Sequence, residues 1–163
     1  LQVDFLPGTP DYGKDLAEYL RPALRKVGID VRVRTSPDFA SYAQRIAAFD
    51  FDMTVDGAFN YGDPVIGVHR TYLSSNIRKG VMYSNTQNYA NPKVDELLAR
   101  ATVERDEARR RRDYAEFQQI VTRELPMVFL STWAITAAID RGIQGTPTSI
   151  WNPVVPLDTV ALG

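Results

Sequence analysis

The chain has 163 residues, with 19 basic and 20 acidic side chains, a net charge of −1, one histidine and no cysteine. That balance offers no electrostatic grip on nucleic acid or an anionic membrane surface. Disulfides, thiolate metal sites and cysteine nucleophiles are excluded, and a single His69 cannot build a histidine-ligated zinc site. Hydrophobic residues make up 44% and charged residues 24%, as in a globular domain. A domain of this length buries roughly 70% of the surface its unfolded chain exposes.

Residues 1–6 (LQVDFL) read as a first strand, closed by Pro7, Gly8 and Pro10. Asp11 caps a helix in which Leu16, Leu20, Leu24 and Val27 recur at helical spacing. Pro22 is expected to kink that helix and Gly28 to end it. Residues 29–36 (IDVRVRTS) form a second strand, Ser36 or Asp38 opens a short helix through Phe49, and residues 51–59 (FDMTVDGAF) form a third strand. The order is βαβαβ. Two successive helical crossovers imply parallel strands with helices packed on the sheet. Ligands of such sheets bind beyond the carboxyl ends of the strands. The segment GAFNYGDP, residues 57–64, stands at that end of the third strand.

The second half is more helical. Asp63-Pro64 starts a helix to about Leu73, with Pro at its first position. A polar loop and a short extended segment, VMYSN, follow. Asn91-Pro92 opens a helix with Val94, Leu97, Leu98 and Ala101 on its apolar stripe. Asp106 caps another, with Tyr114, Phe117, Val121 and Leu125 on the buried face and Pro126 as its stop. Residues 127–139 are apolar enough for a strand or two. The Gly- and Pro-rich tail, residues 140–163, reads as irregular. No apolar run approaches the ~20 residues that span a bilayer.

Few side chains suggest chemistry. Asp52 and Asp56 alternate with apolar residues on the third strand, and with Asp63 they leave a carboxylate-dependent hydrolase as an alternative. Capping or a solvated strand end accounts for them more simply. Arg109–Arg112 reads as a solvated helix face, with Asp106 and Glu107 paired to Arg110 and Arg111 at i,i+4. His69 reads as a packed or surface histidine, Trp133 as core, and Trp151 as the better candidate for an exposed aromatic. No GxGxxG, Walker, GxSxG or HExxH motif occurs, so neither an enzyme nor a cofactor is expected.

Several pieces recur in a known order. They are Gly28-Ile29, Tyr42, Phe51-Asp52, Asp63-Pro64, Asn85, Asn88, Tyr89, Asn91-Pro92 and Val94-Asp95-Glu96-Leu97-Leu98. Asp106, Arg110, Tyr114, Pro126, Leu130 and the closing WNPVVPLD continue the series. Together they resemble the third domain of the extracytoplasmic solute-binding proteins of family 5, the peptide-, dipeptide- and nickel-binding components of ABC importers. The resemblance implies an α/β lobe of the periplasmic-binding-protein type II-like fold. It has a βαβαβ sheet flanked by helices, a helical second half and an irregular tail. Residues 1–163 would be one lobe, the C-terminal portion of a longer periplasmic protein, with the tail packing on an N-terminal domain absent from this sequence.

The implied function is capture of a peptide or peptide-like solute for delivery to membrane permease subunits, with no reaction, cofactor or nucleic acid. A non-peptide solute, such as a sugar or metal chelate, is the alternative within the family. By position the resemblance assigns main-chain ligand contacts to Gly57, Ala58 and Phe59, within a lip that includes Asn60, Tyr61 and Asp63. The family often has an Asp where Asn60 stands, pairing with the ligand α-amino group, and a Trp where Gly57 stands. Both departures lead one to expect a ligand without a free amino terminus. Restoring the carboxylate, as Asn60→Asp, should tighten binding of free-amino-terminus peptides in a calorimetric titration. No change, or a loss, would show this alignment of the lip to be wrong.

Overall fold

The computed structural model describes residues 1–8, 11–57, 62–132, 138–146 and 160–162. Gln2–Leu6 forms the central strand, β1, with Asp30–Val33 (β2) and Met53–Thr54 (β3) parallel on either side. The order is therefore β2-β1-β3. Helix α1, Asp11–Lys26, connects β1 to β2, and α2, Phe39–Ala48, connects β2 to β3. Side chains alternate across a strand, so successive residues of β1 serve opposite faces. Phe5 packs with Ala17, Val31, Leu20 and Leu24 on the α1 side. Leu6 packs with Tyr42 and Ile46 on the α2 side.

Several local features follow the sequence and others depart from it. Helix α1 runs unbroken from Asp11 to Lys26 with Pro22 inside it. Pro22 and Glu18, whose carbonyl loses its helical donor, both lie on the exposed face, where water can replace that bond. Gly28 ends the turn after α1 with φ +82°, a conformation open to glycine at little cost. Strand β3 is shorter than the nine-residue run expected. Its ladder pairs Phe5 with Met53 and Leu6 with Thr54, and Pro7 then ends β1. Thr54 Oγ1 donates to the Leu6 carbonyl at 2.8 Å, closing the edge.

The second half is built on α3 (Pro64–Tyr72), α4 (Pro92–Val103) and α5 (Glu107–Glu124). Each begins with a side-chain cap. Asp63 accepts from the Val65 amide at 2.9 Å, Asn91 from Lys93 at 2.9 Å and Asp106 from Arg109 at 2.8 Å. Val94, Leu97 and Leu98 of α4 meet Phe117, Ile120 and Val121 of α5, with Tyr72 of α3 against them. Tyr72 and Phe117 meet edge to face, their ring centres 5.1 Å apart.

The expected extended segment at 81–85 is a loop instead. Asn85 is fully buried there. It donates to the carbonyls of Leu73 and Tyr89 at 3.1 and 2.7 Å, and accepts from the Tyr89 amide at 3.0 Å. Those bonds curl the chain back on itself and leave no straight backbone to pair. Residues 127–132, expected to begin a strand, form none, and Val128, Phe129 and Leu130 are exposed. Trp133 and Trp151 lie outside the described residues. The tail is not wholly irregular, because Ile143–Gln144 (β4) pairs antiparallel with Ala161–Leu162 (β5).

Leu97 is fully buried in the helical core, whereas Val103, at the end of the same helix, is 76% exposed. Leu97→Ala should cost about 2–5 kcal/mol in urea unfolding. Val103→Ala should change stability by no more than about 0.5 kcal/mol.

Candidate ligand-binding site

With strand order β2-β1-β3, the topological switch lies between β1 and β3. The crevice beyond their carboxyl ends is where sheets of this kind hold ligands. Three segments converge there. The turn after β1 reaches Gly8, α1 starts beside it, and β3 runs on through Val55, Asp56 and Gly57. The approach is close at Gly13, where a Cβ would stand 3.0 Å from the Gly8 nitrogen and 3.2 Å from a Val55 methyl. Tyr42, from α2 beneath, donates to the Val55 carbonyl at 3.2 Å.

Of the expected lip residues, Gly57 and Asp63 are described, while Ala58, Phe59, Asn60 and Tyr61 lie outside the described residues. Gly57 donates its amide to Asp56 Oδ1 at 2.8 Å. Asp63 caps α3 and also receives Arg110 of α5 at 2.8 and 3.0 Å. The Val65 amide and then the Arg110 guanidinium hold its carboxyl below the usual carboxylate range.

Arg110 is the residue the sequence reading placed wrongly. It does not pair with Asp106, which caps Arg109 instead. It bonds Asp63 across 47 residues, donates to the Ala101 carbonyl at 3.0 Å, and lies over the Tyr114 ring at 5.4 Å. The neighbouring Arg111–Glu107 pair does form at 2.6 Å, as the spacing implies. Tyr114 in turn meets buried His69 Nε2 at 3.0 Å, while Nδ1 faces Thr102 Oγ1 at 3.5 Å. Thr102 spends its hydroxyl proton on the Leu98 carbonyl. The arrangement therefore fits a neutral His69 that carries its proton on Nδ1 and accepts from Tyr114. This chain of contacts fastens the far end of the lip to the α4–α5 hairpin. The only sequence signal for it was the order Asp63-Pro64, Arg110, Tyr114 within the family resemblance.

The carboxylates of the hydrolase alternative do not share one environment. Asp52 accepts from the Asp4 amide at 2.7 Å, Asp63 is engaged by Arg110, and Asp56 alone is pushed above its ordinary range. Among the described residues no group of three or more His, Asp or Glu side chains is placed to hold a metal ion. Nor is any described helix long and apolar enough to cross a membrane.

The chain folds as a small parallel β2-β1-β3 sheet followed by a helical half, and its structural neighbours are type II-like periplasmic binding proteins. The oligopeptide-binding protein AppA of Bacillus subtilis, solved with a nonapeptide, shares this fold with a TM-score of 0.73 at 17% identity, over 99% of this chain and 32% of that one. The periplasmic binding protein DppA of Helicobacter pylori, solved with the peptide STSA, gives a TM-score of 0.67 at 19% identity, over 77% and 24%. In sequence the chain is 27% identical over 134 residues to the probable D,D-dipeptide-binding periplasmic protein DdpA of Escherichia coli K12. That alignment takes in 82% of this chain and 25% of DdpA, so the chain spans about a quarter of that relative's length. No family model matches. The resemblance to the family 5 solute-binding proteins thus holds over part of those proteins.

Burial holds His69 below its ordinary value of 6.5, with Arg110 acting in the same direction and Asp63 against. The unfolded chain therefore gains a proton near pH 6.5 while the folded chain resists it, so stability falls as pH drops. The His69 contribution is whole above that pH and drains below it, until the folded pKa is passed. Melting temperature should fall between neutrality and mild acid, and His69→Gln should flatten that part of the curve. An unchanged slope would show that His69 does not titrate there.

Proposed function

We propose that this chain is the ligand-closing part of a periplasmic receptor that captures a peptide or peptide-like solute and hands it to an ABC permease. The observation that carries this reading is the topological switch point between β1 and β3, with GAFNYGDP following β3 in sequence, on a fold shared with receptors solved around peptides. A parallel sheet exposes strand-end backbone there. An extended peptide can bond to Gly57, Ala58 and Phe59 by strand addition, with Asn60, Tyr61 and Asp63 completing the lip. The structural role of Asp63 then lies in holding that lip, through Val65 and Arg110, as much as in touching a ligand.

Affinity in this reading comes from enclosing the solute between two lobes as they close about a hinge. No bond is made or broken and no cofactor takes part. The rest of the receptor supplies the opposite wall, and it also packs on the tail at 140–163. The hydrolase alternative finds no matched pair of carboxylates, since Asp52 and Asp63 are already committed to Asp4 and Arg110.

The protein in its full natural length, purified without refolding, should release a small molecule when native and denaturing mass spectra are compared. Its mass should match a short peptide or a close analogue. A protein that emerges empty and then binds no member of a short-peptide library would overturn the reading.

A further inference from the structure

The sheet half and the helical half keep separate cores. Leu6, Tyr42 and Ile46 form one cluster of the sheet half and Phe5, Ala17 and Val31 another, while the core of the helical half draws its residues from Val68 onward. Among the described residues every ion pair also stays within one half or the other. Met82 breaks the pattern. It belongs to the loop between α3 and α4, yet it packs against Leu6, Tyr42 and Ile46, and no other described residue of the second half joins the sheet clusters. Two residues earlier, the Gly80 amide donates to the Ala47 carbonyl in the last turn of α2 at 2.8 Å.

The same loop is fastened to the helical half on its other side. Ser84 Oγ donates to the Asn76 carbonyl. Buried Asn85 donates to the Leu73 carbonyl at 3.1 Å, and Gln87 Nε2 to the Thr71 carbonyl at 2.7 Å. Thr71 lies in the last turn of α3 and Leu73 is its C-cap. Between the two sets of anchors Tyr83 has φ +56°. Left-handed backbone is uncommon at a tyrosine and persists where the surroundings over-determine it. Residues 80–87 are therefore a strap, with one foot on the sheet half and the other on α3.

Each foot stands on what holds one end of the lip. Leu6 pairs with Thr54, and Tyr42 donates to the Val55 carbonyl at 3.2 Å, two residues before Gly57. Helix α3 begins at Pro64, directly after Asp63. The five residues between Gly57 and Asp63 could by themselves span up to about 20 Å, so the chain connection alone sets no width. We propose that Met82 is a positioning residue for ligand binding, seated through the strap so that it sets the separation of the two lip ends. It acts through Leu6 and Tyr42 rather than on the solute. The assignment rests on the receptor reading above and deepens it, since main-chain contacts to a ligand depend on how the backbone that makes them is held.

Hydrogen exchange requires no ligand and gives the first readout. In the full-length protein, Met82→Ala should speed exchange at residues 53–57 and 63–66 about ten-fold or more. It should also weaken binding of the tightest tripeptide from a random tripeptide library about ten-fold. Met82→Leu, close in volume, should restore both. Leu24→Ala, which thins the core on the α1 side, should lower the melting temperature and leave both readouts unchanged. Unchanged exchange in Met82→Ala, or faster exchange with undiminished tripeptide binding, would overturn the assignment. A wild-type protein that binds no tripeptide would overturn the receptor reading, and the exchange comparison then still decides whether the strap holds this segment. If Met82→Ala does not fold, Gly80→Ala carries the same test. Open space surrounds its Cβ, so that substitution disturbs only the φ +85° backbone and its bond to Ala47.

Discussion

Everything at the candidate site depends on where β1 stops. It is the only described strand with neighbours on both sides, and its last two residues anchor opposite cores, Phe5 toward α1 and Leu6 toward α2. Pro7 then brings no amide to a ladder. Strand β3 consequently pairs over two residues and is released at Thr54. From that point its backbone leaves the ladder, with the Val55 carbonyl held by Tyr42 instead. A longer β1 would extend the ladder and draw the start of the lip into the sheet.

The far end of the lip is fixed by different physics. There Asp63 joins a helix cap to an arginine from α5, and that arginine lies on Tyr114, which holds His69. The pair is half in water, so its direct contribution to stability is small, on the order of 1 kcal/mol or less. Its consequence is geometric. Gly57 thus follows a strand end held by backbone pairing, and Asp63 begins a helix and is held by charge. A receptor needs such a frame, because a main-chain ligand contact is only as well aimed as the backbone that makes it.

The polar groups of the protein fall into two kinds. Asn85, Asp113 and His69 are buried with partners, as folded chains require of buried polar atoms. Arg70 Nε is buried with no hydrogen-bond partner among the described residues. Among those residues Asp56 accepts only the neighbouring Gly57 amide, at 2.8 Å.

The sequence alone determined the order βαβαβ and the three helices after it, because helical and strand periodicities and the caps at Asp38, Asn91 and Asp106 are local signals. It also determined parallel pairing, since two consecutive crossovers leave little else. Only tertiary structure decided how far each strand runs, because pairing depends on the partner: β3 is two residues long because β1 ends. The same applies to the loop at 81–85, where one buried asparagine outweighs an extended pattern. Arg110 was legible as part of a charged run but not as the partner of Asp63. Which charge meets which across tens of residues is a property of the folded surface, and no local pattern carries it.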